Sequence, residues 1–130
     1  MNTQIFLIDD DDIFNFVHRR IIERELKDVS VSVYNVAREA LEHLIAQAES
    51  QQDLPKFIFL DLNMPDLNGF DFLQALMDAP FEALRQIKIV IVTSSLHDQD
   101  VAKAFTFPMV KEFLDKPLEM ETIMAILKAE

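Results

Sequence analysis

Short apolar runs alternate along this chain with longer stretches in which apolar residues recur every three or four positions. Ile5-Phe6-Leu7-Ile8 is the first run, and it stops abruptly at Asp9-Asp10-Asp11-Asp12. A run of that length predicts a buried strand. Ile13, Phe14, Val17, Ile21, Ile22 and Leu26 then follow at helical spacing, with Asp11 or Asp12 placed to cap the helix they predict. Val29 to Tyr34 is rich in β-branched residues and predicts a second strand. Ala37, Ala40, Leu41, Leu44, Ile45 and Ala48 mark a second helix. Phe57-Ile58-Phe59-Leu60 predicts a third strand, which again ends on an acid, Asp61.

The segment from Asn63 to Gly69 carries Pro65 and an Asn68-Gly69 pair and reads as a loop. Gly69 is the only glycine in the chain, so a turn with positive φ is expected there. Phe70 to Met77 predicts a third helix, and Ile87 to Val92 the most apolar strand, ending in Thr93-Ser94-Ser95. Ser95 and Asp98 have the spacing of a capping box and open a fourth helix near Asp98 to Phe105. A weaker strand, Val110 to Leu114, leads to Asp115-Lys116-Pro117, and Met120, Ile123, Met124 and Leu127 give a closing helix.

Five strands alternating with five helices, without a linker or a repeat, imply an α/β domain over residues 1–130. Its parallel sheet must be covered by helices on both faces. The 130 residues suit one core. No run is apolar enough to span a membrane. The start, Met1-Asn2-Thr3-Gln4, lacks the basic residues and apolar stretch of a signal peptide. The chain has no cysteine, which excludes disulfides and thiol chemistry. A cytoplasmic location is therefore expected. A net charge of −11 repels nucleic-acid phosphates, so no direct DNA or RNA binding is expected; it favours a cation or a basic partner surface. His18 and His43 fall on outward helix faces, and the methionines fall at core spacing.

In such a sheet, ligands bind beyond the carboxyl ends of the strands. Those ends carry Asp9 and Asp10, Asp61, Thr93 and Lys116. If strands one, three, four and five are neighbours, three carboxylates, a hydroxyl and an ammonium converge. Clustered carboxylates need a cation or protons to offset their repulsion, and a hard divalent ion such as Mg²⁺ prefers oxygen ligands. Phosphoryl transfer needs this kind of positioning and charge compensation, and an aspartate can serve as its nucleophile.

With Leu7-Ile8-Asp9-Asp10, Leu60-Asp61-Leu62-Asn63-Met64-Pro65 with Gly69, Ile91-Val92-Thr93-Ser94 and Phe113-Leu114-Asp115-Lys116-Pro117, the chain resembles the receiver domains of two-component response regulators, especially the single-domain kind. The resemblance covers essentially the whole chain. It implies a flavodoxin-like sheet of order 2-1-3-4-5 and a domain that accepts a phosphoryl group without being an enzyme. It makes Asp61 the phosphoacceptor, Asp10 a direct Mg²⁺ ligand, Asp9 a ligand through water, and Asn63 a ligand through its backbone carbonyl. Thr93 would meet the phosphoryl group, Lys116 would pair with it, and the Lys116-Pro117 bond would be cis. Phe113 would turn inward as Thr93 moves, and Ser94 would stay small so that the donor can enter. The donor would be a histidine kinase or a histidine phosphotransfer protein. Output would pass through helix four, strand five and helix five to a protein partner or a second copy.

Two features depart from the family's pattern. Phe107-Pro108-Met109 stands where a small residue usually precedes strand five, and Phe113 replaces a tyrosine found in some members. Part of Phe107-Pro108-Met109 is expected to be exposed as a partner or homodimer contact. No output segment follows the last helix, so either a partner delivers the response or the chain belongs to a longer protein. Two other functions compete. A phosphatase with an aspartyl-phosphate intermediate would need a second acid where Asn63 stands in Asp61-Leu62-Asn63. A constitutive pseudo-receiver scaffold would not need Asp10, Asp61, Thr93 and Lys116 together.

Overall fold

The computed structural model describes residues 3–94 and 97–129. Its elements are β1 (Thr3–Ile8), α1 (Asp12–Glu25), β2 (Val29–Tyr34), α2 (Ala37–Glu49), β3 (Phe57–Asp61), α3 (Gly69–Asp78), β4 (Lys88–Thr93), α4 (Asp98–Ala104), β5 (Val110–Asp115) and α5 (Met120–Lys128). A short 3₁₀ turn, Glu82–Gln86, leads into β4. The strands form one parallel sheet in the order β2-β1-β3-β4-β5.

The inner residues of the central strands are apolar because successive side chains enter opposite cores. Phe6, Ile8, Ile58, Leu60, Ile89 and Ile91 pack with Ala40 and Leu44 of α2 and with Phe72 and Leu76 of α3. Their alternates Ile5, Leu7, Phe57, Phe59, Val90 and Val92 pack with Ile22 of α1 and Ile123 of α5. Each such side chain contributes about 1.5–3 kcal/mol on burial, so a shift of register by one residue would misplace both layers together. This double constraint holds the carboxyl ends of β1, β3 and β4 level with one another.

Local signals decide where helices begin. Asp11 caps α1 by accepting the amides of Ile13 and Phe14, each at 3.1 Å. Asn68 caps α3 by accepting the amide of Asp71 at 2.9 Å. The expected Ser95 cap of α4 lies outside the described residues, and His97 stands at the N-cap position without a side-chain hydrogen bond.

Four expectations are corrected. Gly69 does not have positive φ; close approach requires it instead. A Cβ there would stand 2.6 Å from Leu62 Cδ2 and 2.9 Å from Leu62 Cα. Because backbone cannot step aside as a side-chain tip can, Gly69→Ala should destabilise the domain by about 1–3 kcal/mol. Thermal melting would check this, and an unchanged midpoint would refute it.

The second correction concerns α1, whose buried side chains are Asn15 and Ile22. Ile13, Phe16 and Val17 are exposed. Asn15 takes the inward position because its amide donates to the Asp9 carbonyl at 2.7 Å, which turns Ile13 and Val17 outward. Third, the exposure expected within Phe107-Pro108-Met109 falls on Pro108 and not on Met109, which is buried at 1 % exposure, while Phe105 is exposed. The amides of Thr106 and Phe107 bond back to the carbonyls of Lys103 and Ala104, so the chain curls under α4 and carries Met109 into the core. Fourth, His18 is half-buried, with its ring stacked on Phe14 at 4.0 Å and its Nδ1 2.7 Å from the Phe14 carbonyl oxygen.

Candidate functional site

Three adjacent strand ends and the turn after β5 build one crevice. Asp9 follows β1, Asp61 closes β3, Thr93 closes β4 and Lys116 follows β5. Asp9, Asp61 and Thr93 are buried; Asp10, Asn63 and Ser94 are exposed at the mouth.

Asp9 is held by several partners. Its amide donates to the Tyr34 carbonyl at 3.0 Å, and its own carbonyl accepts from Asn15. Its Oδ1 accepts the Asp11 amide at 2.9 Å, and its Oδ2 lies 2.7 Å from Lys116 Nζ. Lys116 reaches Asp61 Oδ2 at 3.9 Å and lies over the Phe14 ring, 4.6 Å from its centre. Its backbone amide donates to the Thr93 carbonyl at 2.8 Å, which ties β5 to β4 at the site, and the Lys116–Pro117 bond is cis. The Asn63 amide donates to Asp61 Oδ1 at 3.2 Å, and the Asn63 side chain donates to Thr93 Oγ1 at 3.2 Å. Phe113 is half-buried against the core.

One carboxylate oxygen each from Asp9, Asp10 and Asp61 lie within 4.8 Å of one another. Burial pushes the Asp61 carboxyl above the usual carboxylate range. The Asn63 amide opposes this, Asp9 reinforces it, Lys116 opposes it and Asp10 adds to it. The site thus holds more negative charge than one ammonium offsets. The set offers the hard oxygen donors that a divalent cation prefers.

Asn15 is not legible in the sequence as a site residue. A polar side chain on the inward face of an otherwise apolar stripe is the available signal, but exposed and buried asparagines look alike in sequence. Asp11 and Asp12 stand outside the cluster, as a cap and an exposed first-turn residue.

The fold and the acidic crevice define a regulatory phosphoacceptor of two-component signalling. Residues 5–128 match the family model described as the response regulator receiver domain, and the chain belongs to that family. It is similar to a two-component response regulator from Cytophaga hutchinsonii, with a TM-score of 0.83 and 26 % identity over 98 % of this chain and 96 % of that one. It is 28 % identical over 119 residues to the probable methanogenesis regulatory protein FilR2 of Methanothrix harundinacea, covering 92 % of this chain and 75 % of FilR2. A response regulator protein from Burkholderia pseudomallei, described with a phosphorylated aspartic acid, calcium ion and citrate, shares the fold at a TM-score of 0.77 and 22 % identity. That alignment covers 95 % of this chain and 65 % of the other. As a receiver domain, the chain takes part in phosphotransfer from a histidine kinase and is not itself an enzyme. No helix among the described residues is long and apolar enough to cross a membrane.

Proposed function

We propose that Asp61 receives the phosphoryl group with Mg²⁺ held by Asp10, Asp61 and the Asn63 carbonyl. The observation that carries this reading is the gathering of three carboxylates and Lys116 at the carboxyl end of the sheet. An Asp61 oxygen attacks the phosphorus of a phosphohistidine; the O–P bond forms as the N–P bond breaks, and the imidazole nitrogen leaves with the electron pair. Mg²⁺ there would supply charge compensation for the phosphoryl oxygens. Asp9 contributes through water, since its Oδ2 already faces Lys116. Thr93 Oγ1 exchanges its Asn63 partner for a phosphoryl oxygen, and Lys116 turns from Asp9 toward the phosphoryl group. Ser94 leaves the mouth open for the donor. Phe113 follows Thr93 inward, which alters the α4–β5–α5 surface for a protein partner or a second copy. Exposed Phe105 and Pro108 supply apolar contacts on that surface.

The donor is a histidine kinase or histidine phosphotransfer protein in the cytoplasm. Ile13, Phe16 and Val17 support this reading, because they form an exposed apolar patch on the helix that opens beside Asp10. Acetyl phosphate with Mg²⁺ should add one phosphoryl mass to the intact protein, and an unchanged mass would sink the proposal. Asp10→Asn should raise the Mg²⁺ concentration needed for half-maximal labelling by roughly tenfold or more, while Asp12→Asn should change it little. Equal effects would mean a diffuse acidic field instead of a ligand set.

A further inference from the structure

Helix α2 begins without a cap of its own. Val36 precedes it and offers no side-chain hydrogen bond, although the first amides of a helix need outside acceptors. The acceptor comes from a loop far along the chain. Asp66 takes the Arg38 amide on Oδ2 at 2.8 Å and the Ala37 amide on Oδ1 at 3.3 Å. Burial alone would raise its pKa, but the Arg38 and Ala37 amides, with its own amide and the Arg38 charge, together hold the carboxyl below the usual range.

Asp66 belongs to the loop that carries Asn63. That loop is pinned at its start, where the Asn63 amide meets Asp61, and at its end, where Asn68 caps α3 and the Gly69 amide donates to the Leu62 carbonyl at 2.9 Å. Between those points Pro65 and Asp66 are exposed. Asp66 ties this middle stretch to a third element. The anchor is firm, because Ala37, Ala40 and Leu44 of α2 are fully buried.

We infer that Asp66 is a positioning residue for the metal site: by capping α2 from the loop, it holds the Asn63 main chain at the height the ion requires. The inference rests on the proposed role of Asn63 and deepens it. A residue that merely capped α2 would affect melting alone. One that positions the loop would also affect Mg²⁺ affinity.

The test uses the full chain and Mg²⁺ alone, followed by amide chemical shifts and by thermal melting. Asp66→Ala should raise the Mg²⁺ dissociation constant roughly tenfold, as expected when an outer support of a ligand is lost. Asp66→Asn keeps an acceptor oxygen and should fall between it and wild type. Val36 already has the extended φ and ψ of a cap, −127° and 115°. Adding Val36→Asp to Asp66→Ala therefore gives α2 a local cap, and should recover the melting temperature without recovering Mg²⁺ affinity. The inference is overturned if Asp66→Ala binds Mg²⁺ about as tightly as wild type, or if the added cap restores affinity together with melting. A wild type that binds no Mg²⁺ would overturn the site reading, and this inference with it.

Discussion

Asp61→Asn should take up no phosphoryl group from acetyl phosphate and Mg²⁺, and the metal-free variant should melt at a higher temperature than wild type. The first effect follows from chemistry: an amide oxygen is a poor nucleophile, and Asp9 is engaged by Lys116, Asp11 and Asn15 through its side chain and carbonyl. The second follows from electrostatics. Asp61 is buried, and its pKa is raised first by burial and then by Asp9 and Asp10. A group whose pKa is higher in the folded than in the unfolded chain stabilises the fold when protonated. That contribution is present below the unfolded pKa and is lost as pH rises through the folded one. Wild type therefore carries the cost of a buried carboxylate at neutral pH, and the amide does not. In a domain of this size about 1 kcal/mol corresponds to roughly 4 °C. The gap between the two proteins should close as pH falls to the unfolded carboxylate range. Adding Mg²⁺ should stabilise wild type more than the variant, because a ligand that binds only the folded state raises its stability. Melting curves over pH, with and without Mg²⁺, check the second effect, and intact mass checks the first. Undiminished labelling of Asp61→Asn at another residue would remove Asp61 as acceptor, and a lower melting point at every pH would contradict the charge argument.

Met109→Asp should destabilise the domain by more than ~3 kcal/mol, the range of a charge or unsatisfied polar group forced into a core. Met109 is 1 % exposed and sits in the core cluster with Leu84, Ile89 and Ala104. A carboxylate there is either ionised without a partner or protonated at the cost of its solvation, and both forms lose the packing of the thioether. Small domains have only about 5–15 kcal/mol in hand, so the variant should melt far below wild type. Phe105→Asp is the informative contrast: its side chain is exposed, and the change should leave stability within about 0.5 kcal/mol. Chemical denaturation of both variants checks the pair. A Met109→Asp protein as stable as wild type would mean that Met109 is at the surface after all.

Asp66 and Met109 show where reading the chain in one dimension stops. Both lie in segments whose local pattern has more than one solution. Phe105, Phe107, Pro108, Met109 and Val110 cannot all point inward, and nothing in their order says which do. The choice is made by the end of α4, where two backbone hydrogen bonds turn the chain under the helix. Helix α1 poses the same problem differently. Ile13 and Val17 fit an inward stripe by spacing, yet the hydrogen bond from Asn15 to the Asp9 carbonyl sets the rotation of the helix and exposes them. Gly69 stands out in the sequence as the lone glycine, but what requires it is the approach of Leu62, and no string of letters displays a contact of that kind.

The strands, their helices and the acids that end β1 and β3 are determined by the sequence itself. A strand buried on both faces has to be apolar along its whole length, so the first charged residue marks its end at the carboxyl edge, where a ligand binds. That is why Asp9 and Asp61, and Thr93 as the first polar residue after Ile89 to Val92, can be named from the order of residues alone, whereas β5 carries Lys111 and Glu112 within it and Lys116 is marked by its place after that strand. What only the tertiary structure decides are the contacts between separate segments: Lys116 nearer to Asp9 than to Asp61, Asn63 donating to Thr93, Asn15 beneath Asp9, and Asp66 at the start of α2. Those depend on how far each helix rotates and how each loop closes on its neighbours. Such freedoms are settled by close packing and by the demand that buried polar groups find partners across the fold, not by the periodicity of any one segment.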